Sequence, residues 1–165
     1  DVASDDDDVL ADDDDVVSDD DDASSSDLPA AFGHDGTLFL DANETAKMFG
    51  YTDCTETLEG TLLLDAVSLC ASCDGTYTGA LTYLLTECSD QAGDSLPAEV
   101  TYGFIDVSAT QYDVYSEDDP GFWSLFGSAI DNGAGQFVLT RTDPVEASSI
   151  PLGTLDSTFR FWPSS

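Results

Sequence analysis

The chain predicts a mainly β fold: a disulfide-bonded antiparallel β-sandwich or partly closed barrel with one or two short helices, preceded by an extended acidic N-terminal arm. Three observations carry this reading. Runs rich in Thr, Tyr, Phe, Val and Leu recur between Gly, Pro, Asp and Ser clusters, the pattern of strands and turns. Four cysteines fall within 35 residues, from Cys54 to Cys88. Three blocks of four aspartates, Asp5–Asp8, Asp12–Asp15 and Asp19–Asp22, open the chain at a seven-residue step.

The arm, residues 1–27, holds fourteen carboxylates and no cation. Such a segment repels itself and has too little apolar surface to offset the entropy of ordering, so an extended, solvated arm is expected. Its spacers Val9-Leu10-Ala11 and Val16-Val17-Ser18 keep a heptad step. A helix is nonetheless disfavoured, because Asp is a poor helix former and like charges meet at i,i+3 and i,i+4. Residues 28–165 have the length of a single β-rich domain with enough large apolar residues for a core.

The elements follow in order. Ser24-Ser25-Ser26 and Pro29 form a linker, and His34-Asp35-Gly36 reads as an exposed turn before a strand at Thr37–Leu40. A short helix comes next, with Asn43 as cap, Glu44 in its first turn, Lys47 near its end and Gly50 just past it. Strands at Thr61–Cys70 and Thr76–Cys88 are joined by the turn Ala71–Gly75, which sets Cys70 opposite Tyr77 and Glu59 opposite Cys88. That hairpin favours the disulfides Cys54–Cys88 and Cys70–Cys73. The rival reading, a four-thiolate zinc site, fits less well because only one CxxC knuckle is present.

A strand at Glu99–Val107 precedes a second helix, capped by Asp119 with Pro120 at its first position. Phe122, Trp123, Leu125, Phe126, Ala129 and Ile130 have helical spacing, and Asn132-Gly133 ends the run. Strands at Gln136–Thr142 and Thr158–Trp162 close the chain. The last is bulky on both faces, with Phe159 and Phe161 on one and Arg160 and Trp162 on the other. It is expected to be a central strand or one covered by a neighbouring subunit, so these four residues are the candidate interface.

Charge restricts the function. The chain sets 35 acids against Lys47, Arg141 and Arg160, a formal net charge of −32. Without the arm, 21 acids remain against three bases, a net −18. No phosphate-tracking patch can be built from three cations, so nucleic acid and anionic membrane surfaces are excluded as partners. No apolar run reaches the length of a membrane span, so membrane insertion is not expected. Self-repulsion on this scale calls for screening, and the Debye length falls to about 3 Å at 1 M salt. High salt or divalent cations are therefore the expected setting. Paired cysteines point to an oxidising one, hence a secreted or cell-surface protein. The sequence starts at Asp1 with no apolar signal-peptide core, as expected of a processed chain.

Catalytic signatures are missing. His34 is the sole histidine, no G-x-S-x-G context exists, and with so many acids no carboxylate pair can be singled out. The chain is therefore not expected to be an enzyme or to need a cofactor. Calcium is the one ion its oxygen-rich clusters would suit. Those clusters are Asp5, Asp6, Asp12, Asp13, Asp19 and Asp20 in the arm, and Asp113, Glu117 and Asp118 in the body. The competing role for Asp118 is helix capping. Asn43-Glu44-Thr45 is an N-glycosylation sequon. Trp123 and Trp162 suit either a sugar platform or the core.

The expected function is a non-catalytic extracellular structural or accessory subunit of a larger assembly: a surface layer, filament, virion or membrane-complex periphery. Its partners would be other protein subunits, copies of itself or a larger complex, together with divalent cations. The alternatives are a calcium- or mineral-associated acidic protein and a carbohydrate-binding β-sandwich.

Overall fold

Strand alternation gives the sheet one apolar face. In β1 (Ala31–Ala42), Phe32, His34, Gly36, Leu38, Leu40 and Ala42 are buried, while Asp35, Thr37, Phe39 and Asp41 lie on the other face. A computed structural model describes residues 28–86 and 99–164. After β1 come the helix α1 (Glu44–Met48) and the strands β2 (Cys54–Leu64), β3 (Gly75–Thr86), β4 (Glu99–Ser108) and β5 (Gln111–Asp119). The chain continues through β6 (Phe122–Asp131), β7 (Phe137–Ala147) and β8 (Ile150–Ser164). Each strand pairs antiparallel with the next, and β8 returns to β1, giving a closed eight-stranded up-and-down barrel.

Eight strands leave an interior just wide enough for side chains, and aromatic rings fill this one. The Phe32 ring centroid lies 5.0 Å from Tyr77, 5.1 Å from Phe104 and 6.4 Å from Phe161. The Tyr77 hydroxyl donates to the Pro29 carbonyl at 2.6 Å, and Leu28 packs against the same core, tying the entering chain to the barrel. Each fully buried ring of this kind contributes about 1.5–3 kcal/mol by leaving water.

Several expectations hold. Asn43 caps α1, its Oδ1 accepting the Ala46 N–H at 2.9 Å, and Gly50 follows the helix with φ 88°. Cys70 and Cys73 form a disulfide. Cys54 is disulfide-bonded too, and its expected partner Cys88 lies outside the described residues. β8 sits between β1 and β7, which is the central-strand reading of its two bulky faces. Phe159 and Phe161 point inward. On the outer face Trp162 covers Gly33, where a Cβ would come within 2.3 Å of the indole.

Three expectations are corrected. The second helix is a strand: β6 pairs along β5 through a turn at Pro120-Gly121, Gly121 adopting φ 82°. Proline fixes the first turn position and glycine supplies the positive φ of the second, so this pair makes a hairpin where the apolar spacing alone suggested a helix. The hairpin between β2 and β3 is shifted, with Leu64 opposite Tyr77 and Glu59 opposite Thr82. Asp65 leaves the ladder to accept the Thr76 and Thr78 hydroxyls at 3.0 and 3.1 Å, so the cysteines fall in a longer connection. His34, expected on an exposed turn, is 0% exposed inside the barrel, because β1 begins at Ala31 and runs straight through Asp35-Gly36.

Candidate functional site

Three places combine chemistry with position. The first is the barrel interior. His34 stacks on Phe161 with centroids 4.6 Å apart and planes 12° from parallel, between Phe159 and Tyr102. Its Nδ1 lies 3.1 Å from the Arg160 carbonyl, which can only accept, so the proton sits on Nδ1 and Nε2 is a buried lone pair without a partner. Burial pushes the imidazole pKa down to about 4, outweighing the Arg160 hydrogen bond and the Asp35 charge. Nearer the other end, Glu56 is buried with Oε1 unpartnered, and burial raises its pKa. Burial, then the Glu56 charge, raises Tyr83; burial likewise raises Tyr102 against the opposing pull of Arg141. Burial disfavours the charged form of each, and rings enclose the histidine. As arranged, they shape a core.

The second is a cleft of ≈ 370 Å³ beside α1, lined by Phe49, Tyr51, Ala147, Ser148, Ile150 and Leu152. The β7–β8 hairpin tip forms one wall, its Ser148 and Ser149 both at positive φ (51° and 66°). Phe49 is 64% exposed at the rim. Asn43 ties the two sides together, its Nδ2 donating to the Pro151 carbonyl and its backbone N–H to that of Leu152, both at 2.9 Å.

The third is the seam between β6 and β7. These strands pair only at Ile130↔Val138 and Asp131↔Phe137, next to their connecting turn, and then part. Side chains close the gap where backbone does not. Leu139 covers Gly127, where a Cβ would stand 3.0 Å from it. The Arg141 guanidinium lies 4.4 Å from the Phe126 ring centroid and donates Nη1–H to the Phe126 carbonyl at 3.2 Å. From Phe122 to Ile130, β6 has no charged residue and no proline. β3 is also free of charge, but it pairs along β2, and its β4 side is laddered from Gly75 to Ala80. Phe122 (73% exposed), Leu125 (54%) and Ile130 (55%) face solvent along β6.

The residues singled out from sequence are dispersed. Asp5, Asp6, Asp12, Asp13, Asp19 and Asp20 lie outside the described residues. Asp113 Oδ1 accepts the Ser128 hydroxyl at 2.6 Å and Gln111 Nε2 at 3.2 Å. Glu117 accepts the Gly121 N–H at 2.6 Å, and Asp118 accepts the Ser124 hydroxyl. Each thus pins one part of the β5–β6 hairpin, and among the described residues no group of three potential ligands converges on a metal-sized space. The helix-capping alternative for Asp118 lapses with the helix. The Asn43 amide is engaged at both atoms in its cap. Of the expected interface residues, Phe159 and Phe161 are interior, while Arg160 pairs with Asp35 at 3.0 Å on the outer wall beside Trp162. Lys47 pairs with Asp53 at 3.6 Å and Arg141 with Asp143, so every Lys and Arg of the chain already has a carboxylate.

Sequence reasoning missed the seam, because Phe122–Ile130 was read as a helix. The signal that exposes it is Pro120-Gly121 directly after the Tyr112, Val114 and Ser116 alternation, which marks a two-residue hairpin. No family model, curated protein or solved structure matches the chain.

Proposed function

We propose that this chain is a non-catalytic extracellular accessory subunit, a rigid acidic barrel that docks into a larger assembly in a saline setting. The observation that carries the reading is the seam, where a barrel with an aromatic and aliphatic core leaves one uncharged strand without a ladder partner along most of one side. Natural sheets usually guard such edges with charge, proline or a covering element. The apolar cleft beside α1 gives a second surface of the same kind. With all three cations paired, the outer wall offers a partner carboxylates, hydroxyls and exposed apolar side chains, among them those of these two areas. The Cys70–Cys73 disulfide fits an oxidising compartment.

Sedimentation velocity tests the proposal on the chain released without denaturant, at native salt, from the medium or cell surface that contains it. A species well above the 17.5 kDa of one chain supports it, and a lone chain overturns it.

A second reading, carbohydrate binding, is favoured by Trp162, whose ring lies on Gly33 next to the Arg160–Asp35 pair. A glycan array with no hits on the intact chain dismisses that alternative.

A further inference from the structure

We infer that the free side of β6 accepts an extended, cationic segment of another protein as an added β-strand. This rests on the accessory-subunit reading and names the docking edge and the chemistry of the partner. Beyond Ile130↔Val138, β6 has no ladder partner on its β7 side, and its backbone from Phe122 to Ala129 meets there the Arg141 side chain, on the Phe126 carbonyl, which an incoming strand would have to displace toward Asp143. A strand in that state is a template: main-chain hydrogen bonds supply affinity, and alternate side chains supply register. The usual safeguards are missing here, since Phe122–Ile130 contains no lysine, proline or charge. β7 differs across the same gap. It carries Arg141, Asp143, Pro144 and Glu146, so β6 is the side open to pairing.

Charge selects the occupant. Glu117, Asp118 and Asp119 stand at the Phe122 end of the strand and Asp131 at the other. An added segment therefore gains from Lys or Arg at its two ends and from apolar residues opposite Phe122 and Leu125, which are exposed within the stretch that β7 leaves unpaired. A second copy of this chain would bring a further −32 of charge against the first, which disfavours it as the occupant.

The test uses the intact chain and three ten-residue peptides of alternating valine and a second residue: the lysine form, the glutamate form, and the lysine form N-methylated at alternate residues. Binding is read by calorimetry and by Trp123 fluorescence at moderate and high salt. The lysine peptide is expected to bind one to one. The glutamate peptide should bind at least tenfold more weakly, and the N-methylated one, which cannot complete a ladder, likewise. Leu125→Lys should weaken the lysine peptide tenfold or more, whereas Leu63→Lys, the same change on exposed β2, should leave it within twofold. Near-UV circular dichroism of both variants confirms the fold. Equal binding of the N-methylated peptide, or equal loss in both variants, overturns the strand-addition inference and leaves the accessory-subunit reading standing. So does a peptide-free dimer abolished by Leu125→Lys, which would make a second copy the occupant. Clean strand addition by a chain that sediments alone in its native setting would instead sink the accessory-subunit reading.

Discussion

The two flanks of β6 differ in how they hold together. Toward β5 the strand is zipped from Asp119↔Phe122 to Gln111↔Ile130, and the Asp113 and Asp118 carboxylates tie Ser128 and Ser124 across it. Toward β7 two ladder pairs give way to side-chain plugs, Leu139 over Gly127 and Arg141 on Phe126. Elsewhere in the barrel β1 pairs along its whole length with β8, and the inward Phe32 and His34 of β1 pack against Phe159 and Phe161 of β8. The barrel therefore concentrates stability in the β1–β8–β4 aromatic interior and leaves β6 weakly committed on one side. A core of this density tolerates one unpaired flank, and such a flank is where low-stability, partner-facing elements are drawn from.

The sharpest way to break that contrast is at the centre of the rings. Phe161 contacts Phe32, His34, Tyr102 and Phe104. Phe161→Ala should cost about 3–5 kcal/mol in urea unfolding, the transfer loss plus the cavity left behind. A loss below about 1 kcal/mol would show that the interior is not the stabilising half.

The next effect is electrostatic and comes from the same interior. His34 is neutral in the fold with its pKa lowered to about 4, against about 6.5 in the unfolded chain. Between these values the unfolded state binds the extra proton, so the contribution is fully present above pH 6.5 and lost as pH falls through 4. The drop is about 3 kcal/mol over that window. Relief of carboxylate repulsion, and protonation of Glu56, act in the opposite direction on acidification, so the comparison must be made between variants. His34→Leu should flatten the acid-side loss relative to the natural chain in unfolding titrations from pH 7 to 4. Parallel pH profiles would mean that His34 takes up its proton without unfolding.

Much of the fold was legible from local chemistry. The alternating runs placed five of the strands and touched only the end of β2 at Thr61–Leu64, and Asn43 with Gly50 placed α1, because caps and periodicity are properties of neighbouring residues. What local chemistry could not carry is closure. Whether Phe159 and Phe161 meet a second sheet or the inside of a barrel depends on β8 reaching β1, more than a hundred residues away. His34 shows the same limit: its Asp35-Gly36 neighbours favour a turn, and only pairing to Phe161 and Gly60 makes them strand. At β6 the apolar spacing of Phe122, Leu125, Phe126 and Ala129 is compatible with helix and strand alike, and the Pro120-Gly121 turn decides. The candidate site was hidden for that reason. An unpaired edge is a property of two strands that fail to meet, and no motif within either strand records it.

A smaller effect tests the loop that flanks the ring-filled half. Cys70 is buried against Gly103 of β4 and bridged to Cys73, holding the β2–β3 connection on the barrel. The Cys70→Ser, Cys73→Ser double variant should lose about 2 kcal/mol, as expected for releasing so short a closed loop. Urea unfolding of both chains without reductant measures this loss; reducing the natural chain, which also opens the Cys54 disulfide, should cost at least as much.

The smallest effect belongs to the seam, and its smallness is what makes it informative. Leu125 is 54% exposed and lies opposite Tyr115 in the β5 ladder. Threonine keeps strand propensity and removes apolar surface that water already reaches, so Leu125→Thr should change unfolding free energy by no more than about 0.5 kcal/mol. Hydrogen exchange supplies the complementary measure. Amides along β1 and β8 should open only with global unfolding, whereas those of Phe122–Ala129 that face β7 should exchange by local opening at much lower free energy. If Leu125→Thr costs 2 kcal/mol or more, or if the β6 amides are protected as strongly as those of β8, the seam is part of the core. The unguarded strand would then be a packed one, with no side to offer a partner.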